Sequence, residues 1–294
     1  MPVSKTNNQT QDIHIDAFLP VEMAKRAEQI GVQKAALPAS KMFVLAVLAG
    51  AFIALGAIFA TVVTTQTAQT LSFGVTRLLG GVAFCLGLVL VVVAGAELFT
   101  GNNLVVMALA SGKLTVTRLL WSWTIVYAGN FTGAVLTALI MLFTRQYNQA
   151  HGGIGLNVLS IAANKCSYSF LQAFSLGILC NALVCLAVWL CYSARSTTDK
   201  ILAILFPITA FVAAGFEHSV ANMYFVPAGL FVKSFAEEHF WEIVDKTSTE
   251  FVGLNWENFL VANLLPVTLG NIVGGSLMVG LVYWFVYLRG QDEG

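Results

Sequence analysis

Charged residues are scarce in this sequence. Only 10% of its 294 residues are Asp, Glu, Lys or Arg, whereas about a quarter of the residues in a typical soluble domain are charged. So few charges cannot cover a water-exposed surface, and the mean hydropathy of +0.79 favours a lipid bilayer as the surroundings. The formal net charge is zero, which gives no reason to expect a nucleic acid as partner.

The sequence also lacks the usual motifs of metal proteins and enzymes. Its five cysteines form no CxxC pair and four of them lie in apolar runs, so we predict buried thiols rather than a metal site or a disulfide framework. No phosphate-binding loop, ATPase motif or Ser/His/Asp array is present. We therefore expect no cofactor and no enzymatic activity, and passive or proton-linked movement of a solute is favoured over an ATP-driven pump.

The N-terminal stretch is polar and has no apolar core of the kind that marks a signal peptide. We expect residues 1–41 to form a cytoplasmic tail that includes a short amphipathic helix over about 20–31. Residues 42–289 are expected to form one six-span membrane domain, and residues 290–294 a short cytoplasmic C-terminal tail.

Six stretches are long and apolar enough to cross a bilayer, for which a helix needs about 20 residues. The second and the fifth are unusual, because each meets a cluster of polar residues and then resumes as a shorter apolar stretch. This pattern predicts an all-α membrane protein. The predicted spans are 42–65, 77–111, 118–143, 170–193, 200–232 and 258–288.

Basic residues indicate how the spans are oriented. If the N-terminus is cytoplasmic, the inside segments carry ten Lys and Arg residues and the outside loops carry five. Cytoplasmic loops are enriched in these residues, so the count favours both termini on the cytoplasmic side. The loop over about 233–257 would then be outside, and it is acidic.

The two polar clusters repeat one motif. Gly95–Asn102 and Gly215–Asn222 both fit G-x-E-x-x-x-[small]-N, and each is followed in the next span by G-N-x-x-G, at Gly129–Gly133 and Gly270–Gly274. Three spans per unit is an odd number, so the second unit must enter the membrane inverted. An inverted 3+3 repeat with broken helices two and five points to a central transport site.

Most residues of the repeat have a structural interpretation beside the functional one. The glycines are typical of closely packed helices, whereas an asparagine amide in hydrocarbon needs partners. Glutamates at membrane depth are functional candidates by default. We nevertheless favour a bracing role, in which their carboxylates accept from free N–H groups at a helix break. The residues assigned to this structural set are Glu97, Glu217, Asn102 and Asn222.

His218 breaks the symmetry of the repeat, because its counterpart in the first motif is Leu98. Histidine titrates near neutral pH and can exchange a proton with a weak acid, so at a broken helix we favour a functional role over that of a satisfied interior side chain. Thr100 lies beside the first break, where its hydroxyl can bind an anion or face His218. Asn181 is a lone amide in the fourth span, and both of its roles stay open.

Four segments connect the chain to a known family: Gly95–Thr100, Gly155–Leu159, Gly215–Met223 and Leu269–Gly275. Through them the chain resembles the formate/nitrite transporter family over about residues 15–289, and the sequence GFEHSVANM is highly specific. The resemblance implies an aquaporin-like fold in each protomer of a homopentamer in the bacterial inner membrane, with one pore per protomer. It also implies passage of formate and similar small monovalent anions such as acetate, nitrite and lactate.

The same resemblance implies roles for single residues. His218 would be the central pore histidine, Thr100 its partner and Asn271 the residue that orients it, while Lys165 would draw anions inward. From spacing alone, five apolar residues are ordinary core or lipid-facing positions, but the resemblance makes them constrictions. The outer constriction would consist of Phe84, Leu88 and Phe211, and the inner one of Leu98 and Val184.

The N-terminal tail would resemble a helix that gates the cytoplasmic mouth with pH, and a cytoplasmic formate-metabolising enzyme is a candidate partner for it. Two modes of passage stay open: His218 protonates formate, or the anion passes a cationic His218. Three alternative functions are also open. They are a nitrite or hydrosulfide channel of the same family, a neutral-solute channel resembling aquaporin, and a membrane enzyme with a Glu217/His218 acid–base pair.

Overall fold

In a computed structural model, which describes residues 16–67 and 70–290, the chain is helical and contains no strand over those residues. The helices that span or flank the membrane region are α1 (Pro20–Ala36), α2 (Ala39–Thr64), α3 (Phe73–Ala94), α4 (Gly101–Ala110), α5 (Val116–Phe143), α6 (Gly153–Lys165), α7 (Phe170–Ser193), α8 (Thr197–Ala214), α9 (Ser219–Phe235), α10 (Glu238–Val244) and α11 (Asn258–Tyr287).

The prediction of six spans is confirmed. Within the part of the chain that the structure describes, six helices of 18 to 30 residues are apolar enough to cross a membrane, namely α2, α3, α5, α7, α8 and α11. The predicted second span divides into α3 and α4, and the predicted fifth span divides into α8 and α9. The amphipathic helix predicted over 20–31 continues to Ala36, and α6 was not predicted as a helix.

Both breaks begin at a glycine in the left-handed region. Gly95 ends α3 with a φ of 81°, and Gly215 ends α8 with a φ of 77°. Only glycine adopts this conformation without a steric cost. The next N–H in each case turns back to the preceding helix, from Ala96 to the Val91 carbonyl at 2.9 Å and from Phe216 to the Phe211 carbonyl at 3.0 Å.

Glycines bring the long helices into backbone contact. Side chains at Gly133 and Gly274 would overlap the backbone carbonyls of Val47 and Ile178, so α5 packs closely on α2 and α11 packs closely on α7. The GNxxG glycines therefore have the packing role that their small size predicts.

The α1 helix lies against the rest of the protein. It buries Met23, Ala24 and Ala27, and its Glu28 forms an ion pair with Lys113 in the segment that follows α4. The first fifteen residues of the predicted tail and residues 291–294 lie outside the described residues. The expected domain limits at 41 and 290 therefore stay predictions.

Candidate functional site

The first helix break is held by Asn130 of α5. The Asn130 side chain accepts from the Phe99 N–H at 2.9 Å, and it donates to the carbonyls of Ala46 and Glu97 at 2.8 and 2.9 Å. Asn130 is fully buried, and its bonds to the Phe99 N–H and the Glu97 carbonyl satisfy backbone groups of the break that have no helical partner. One amide thus ties α2, α5 and the broken segment together.

Asn271 of α11 holds the second break in the same way. It accepts from the Ser219 N–H at 2.9 Å and donates to the carbonyls of Gly177 and Glu217 at 2.8 and 3.0 Å. Asn130 and Asn271 thus share one set of contacts, as members of a structural repeat would. The direct bond that Asn271 makes is to the backbone beside His218, not to the imidazole ring.

The two motif glutamates are buried and paired with lysines. Glu97 lies 2.9 Å from Lys34 of α1, and Glu217 lies 2.8 Å from Lys165 of α6. The asparagine that ends each motif donates to the same carboxylate at 2.7 Å, Asn102 to Glu97 and Asn222 to Glu217. A buried charge without a partner costs several kcal/mol, so each lysine stabilises the break beside it.

His218 caps the start of α9. Its Nδ1 accepts from the Ala221 N–H at 3.0 Å, and its Nε2 lies 2.9 Å from the Thr100 hydroxyl. Since Nδ1 accepts, the hydrogen of the neutral ring is on Nε2 and is donated to the Thr100 oxygen. The Thr100 hydroxyl hydrogen then remains available as a donor. The contact joins the first break to the second across 118 residues of sequence.

Two cavities approach this contact from opposite directions. The α1 cavity, of about 260 Å³, is lined by residues of α1, α3, α7 and the first break. The α6 cavity, of about 190 Å³, is lined by residues of α3, α6, α8, the second break and His218 itself. Phe84 lines the α6 cavity and Leu88 lines the α1 cavity. These residues are four apart on α3, which is a rise of about 6 Å along the helix. The packed side chains between the two cavities are called the closed region below.

Aromatic rings surround His218 on the side of the α6 cavity. Phe84 packs edge-on against Phe211 with ring centroids 5.7 Å apart, and Phe211 stacks on the His218 ring at 6.0 Å. Leu98, which was expected at the inner constriction, lines the α1 cavity, whereas Val184 is buried and lines neither cavity. Leu88 was expected beside Phe84 and Phe211, and the structure places it with Leu98 instead.

Asn181 lies behind the site and is fully buried. Its amide nitrogen lies within hydrogen-bond distance of the Thr100 carbonyl at 3.2 Å, the Asn103 side chain at 2.8 Å and the Asn271 carbonyl at 2.7 Å. Asn181 therefore links the backbone of the first break to α11. It lines neither the α1 cavity nor the α6 cavity.

Some residues of the site were not singled out from the sequence. Lys34 is 63 residues before Glu97, and Asn263, which bonds both Asn222 and the Lys165 carbonyl, is 46 residues after Glu217. Because these partners are far apart in the sequence, no local motif indicates that they are in contact. Two buried glutamates do call for two basic partners, but the sequence contains fifteen Lys and Arg residues and does not say which two.

Comparison with known proteins places the chain in a family. The family described as "Formate/nitrite transporter" matches residues 21–285. The formate channel FocA of Escherichia coli is 47% identical over 282 residues, which cover 96% of this chain and 99% of that protein. The formate channel FocA of Haemophilus influenzae is 41% identical, with coverage of 93% of this chain and 96% of that protein.

A solved structure supports the same family assignment. The structure described as a pentameric formate channel with formate bound is 49% identical, with a TM-score of 0.82, and the match covers 85% of this chain and 98% of that chain. These relatives are channels, so the alternative of a membrane enzyme is set aside. The chain is a multi-pass membrane protein of the formate/nitrite transporter family.

Proposed function

We propose that this protein is a passive channel for formate and similar small monovalent anions. The observation that carries the proposal is the His218–Thr100 contact of 2.9 Å, which lies at the closed region between two cavities. Apolar side chains on both sides of it oppose a hydrated or bare ion. The polar pair supplies hydrogen-bond donors where a small carboxylate loses its water.

The substrate assignment also draws on the relatives. The two FocA relatives named above are described as formate channels, which favours formate over nitrite or hydrosulfide. Acetate and lactate belong to the same chemical class, and nitrite shares the charge and the small size of formate. A channel for neutral solutes has no need for a titratable histidine at the centre of its pore, which makes an aquaporin-like activity the less favoured alternative.

We further propose a homopentamer in the bacterial inner membrane, with both termini in the cytoplasm and one pore in each protomer. Both cavities and the His218–Thr100 contact are built from one chain, which supports a separate path in each copy. The matched bonds of Asn130 and Asn271 support an inverted repeat around that path.

The α1 helix is a candidate gate for the cytoplasmic mouth. Arg26, Ile30 and Lys34 of α1 line the α1 cavity, and Lys34 also holds the Glu97 carboxylate. A displacement of α1 would therefore change both the width and the charge of that opening. A contact between the tail and a formate-metabolising enzyme would involve residues 1–15, which lie outside the described part of the chain.

His218 sets how formate crosses the closed region. The neutral ring donates its Nε2 hydrogen to the Thr100 hydroxyl, which in turn offers its own hydrogen to an anion. To protonate formate, the ring must first carry hydrogens on both nitrogens, and a hydrogen on Nδ1 would face the Ala221 N–H. Proton-linked passage therefore requires the first turn of α9 to give up its cap, which is worth about 1 kcal/mol in typical helices.

A flux assay in liposomes tests this function. We expect His218→Phe to reduce formate flux at least about ten-fold across roughly pH 5 to 8, because the variant removes the central donor and a titratable group. The measurement is uptake of labelled formate, nitrite and glycerol by purified protein. His239→Phe is the matched control, because His239 is an exposed histidine in α10.

Two results would contradict the proposal. Formate flux that is unchanged in His218→Phe would remove the histidine from the mechanism. Glycerol flux as fast as formate flux would show that the path does not select anions.

A further inference from the structure

The lysine expected to draw anions inward is already neutralised. Lys165 is only 13% exposed, and its ammonium lies 2.8 Å from the Glu217 carboxylate. The charge that Lys165 presents to the α6 cavity is therefore largely cancelled by its own partner. Any net attraction for an anion in this cavity must come from another residue.

Arg77 is the other cation that lines the α6 cavity, and within the described part of the chain it has no carboxylate partner. The charged side chains lining this cavity are Arg77, Lys165 and Glu217. With Lys165 and Glu217 paired, one positive charge remains. Arg77 is half-buried in the first turns of α3, so it keeps contact with water.

The guanidinium of Arg77 is held in place at the second break. Its Nε donates to the Ala213 carbonyl at 3.0 Å, at the C-terminal end of α8, and its guanidinium carbon lies 5.8 Å from the centre of the Phe73 ring. Gly215 leaves room for it, because a side chain there would place a Cβ 2.7 Å from the Arg77 Nη2. Gly215, which the cation contacts, is two residues before Glu217 and three before His218 in the sequence.

These contacts use only one of the guanidinium nitrogens as a hydrogen-bond donor. Nε is bonded to the Ala213 carbonyl, whereas no partner within the described residues holds the two Nη groups. A planar fork of two N–H donors matches the two oxygens of a carboxylate. The pKa of Tyr168, which also lines this cavity, is raised by burial and by the Glu217 carboxylate, and the charge of Arg77 acts in the opposite direction.

We propose that Arg77 is the anion-receiving residue of the α6 cavity and concentrates small carboxylates beside His218. This proposal rests on the proposed channel function and extends it to a binding residue. It assigns to Lys165 the task of neutralising Glu217 and to Arg77 the task of attracting the anion. The expected ligand is a small planar monovalent anion such as formate.

The test is the half-saturating formate concentration for flux from the α6 side, measured in planar bilayers with the purified protein. We expect Arg77→Gln to raise this concentration about three-fold at low ionic strength, as the loss of one unit charge about 6 Å away in water predicts. Maximal flux should change little, because the closed region is untouched. Near 1 M salt the difference should vanish, since the screening length falls to about 3 Å.

Lys246→Gln is the matched control, because it removes a positive charge from an exposed outer segment that lines neither cavity. We expect it to leave the half-saturating concentration within error of the native protein. The native protein provides a second measurement that needs no variant. Its half-saturating concentration should rise about three-fold between low salt and 1 M salt.

Three outcomes overturn the proposal. The first is an Arg77→Gln half-saturating concentration equal to that of the native protein at low salt. The second is a loss of maximal flux alone that does not depend on salt, which indicates a purely structural arginine. The third, a salt-independent half-saturating concentration in the native protein, overturns it even if Arg77→Gln does not fold. Absence of formate flux in the native protein instead overturns the proposed function, and this inference with it.

Discussion

At the scale of single residues, the two bonds of the His218 ring determine what it can donate. Nδ1 is occupied as a helix cap and Nε2 points at Thr100. The neutral ring is fixed in one tautomer by the backbone N–H of Ala221. In the proposed channel we expect Thr100 to connect this tautomer to a passing anion, because its hydroxyl accepts from the ring and can donate onward.

This arrangement gives a prediction for Thr100. We expect Thr100→Val, which keeps the shape and removes the hydroxyl, to lower formate flux about ten-fold, since a buried donor without a partner costs about 1–3 kcal/mol. Thr100→Ser keeps the hydroxyl and serves as the matched control, with flux close to that of the native protein. Liposome uptake of labelled formate measures both variants. Equal flux in Thr100→Val and Thr100→Ser would show that the hydroxyl plays no part.

At the scale of helices, the two halves of the chain use the same device. The asparagine at the second position of each GNxxG motif reaches across to a broken helix, and the glycines around it let the helices approach. The asparagine and the glycines therefore have different tasks within one motif. Asn130 satisfies backbone groups, whereas Gly133 makes room for the Val47 carbonyl.

Because the GNxxG glycines allow close helix packing, we expect a methyl group added at these positions to reduce the stability of the protein. We expect Gly133→Ala and Gly274→Ala each to destabilise the protein by about 1–3 kcal/mol, because the new Cβ meets backbone that cannot rotate away. Gly74→Ala is the control, since a Cβ at Gly74 meets no atom within 4 Å. The thermal unfolding midpoint in detergent measures the effect. An unchanged midpoint in both GNxxG variants would contradict the close approach.

Some features of the helices can be predicted from the sequence and others cannot. The spans and both breaks were found because hydropathy and a repeated motif are local signals. The α6 helix was missed because, at 13 residues, it is too short to read as a span. The pairing of the lysines with Glu97 and Glu217, and the cavity that Leu88 lines, depend on contacts between helices. No pattern along the chain indicates these contacts. The Thr100–His218 distance likewise follows only from the way the two breaks meet.

At the scale of the whole molecule, basic residues gather at the α1 end. Arg118 donates to the Ala35 carbonyl at 2.5 Å, Arg195 donates to the Asp16 carbonyl at 2.9 Å, and Lys113 pairs with Glu28. Lys113 and Arg118 flank the start of α5, and Arg195 precedes α8. Both segments were expected inside, and the fold brings them to one end around α1. Cytoplasmic ends of membrane proteins are rich in such residues, so α1 is expected to face the cytoplasm.

Thiol labelling tests this orientation, because all five native cysteines are buried and free. We expect Thr249→Cys, in the exposed acidic segment after α10, to react with a membrane-impermeant maleimide in intact cells. Thr198→Cys, at the exposed start of α8, should stay unlabelled there and react in inside-out vesicles. The unsubstituted protein is the control for background labelling. Labelling of Thr198→Cys in intact cells would show the opposite orientation. The α1 cavity would then open to the outside, and the α6 cavity with Arg77 would open to the cytoplasm.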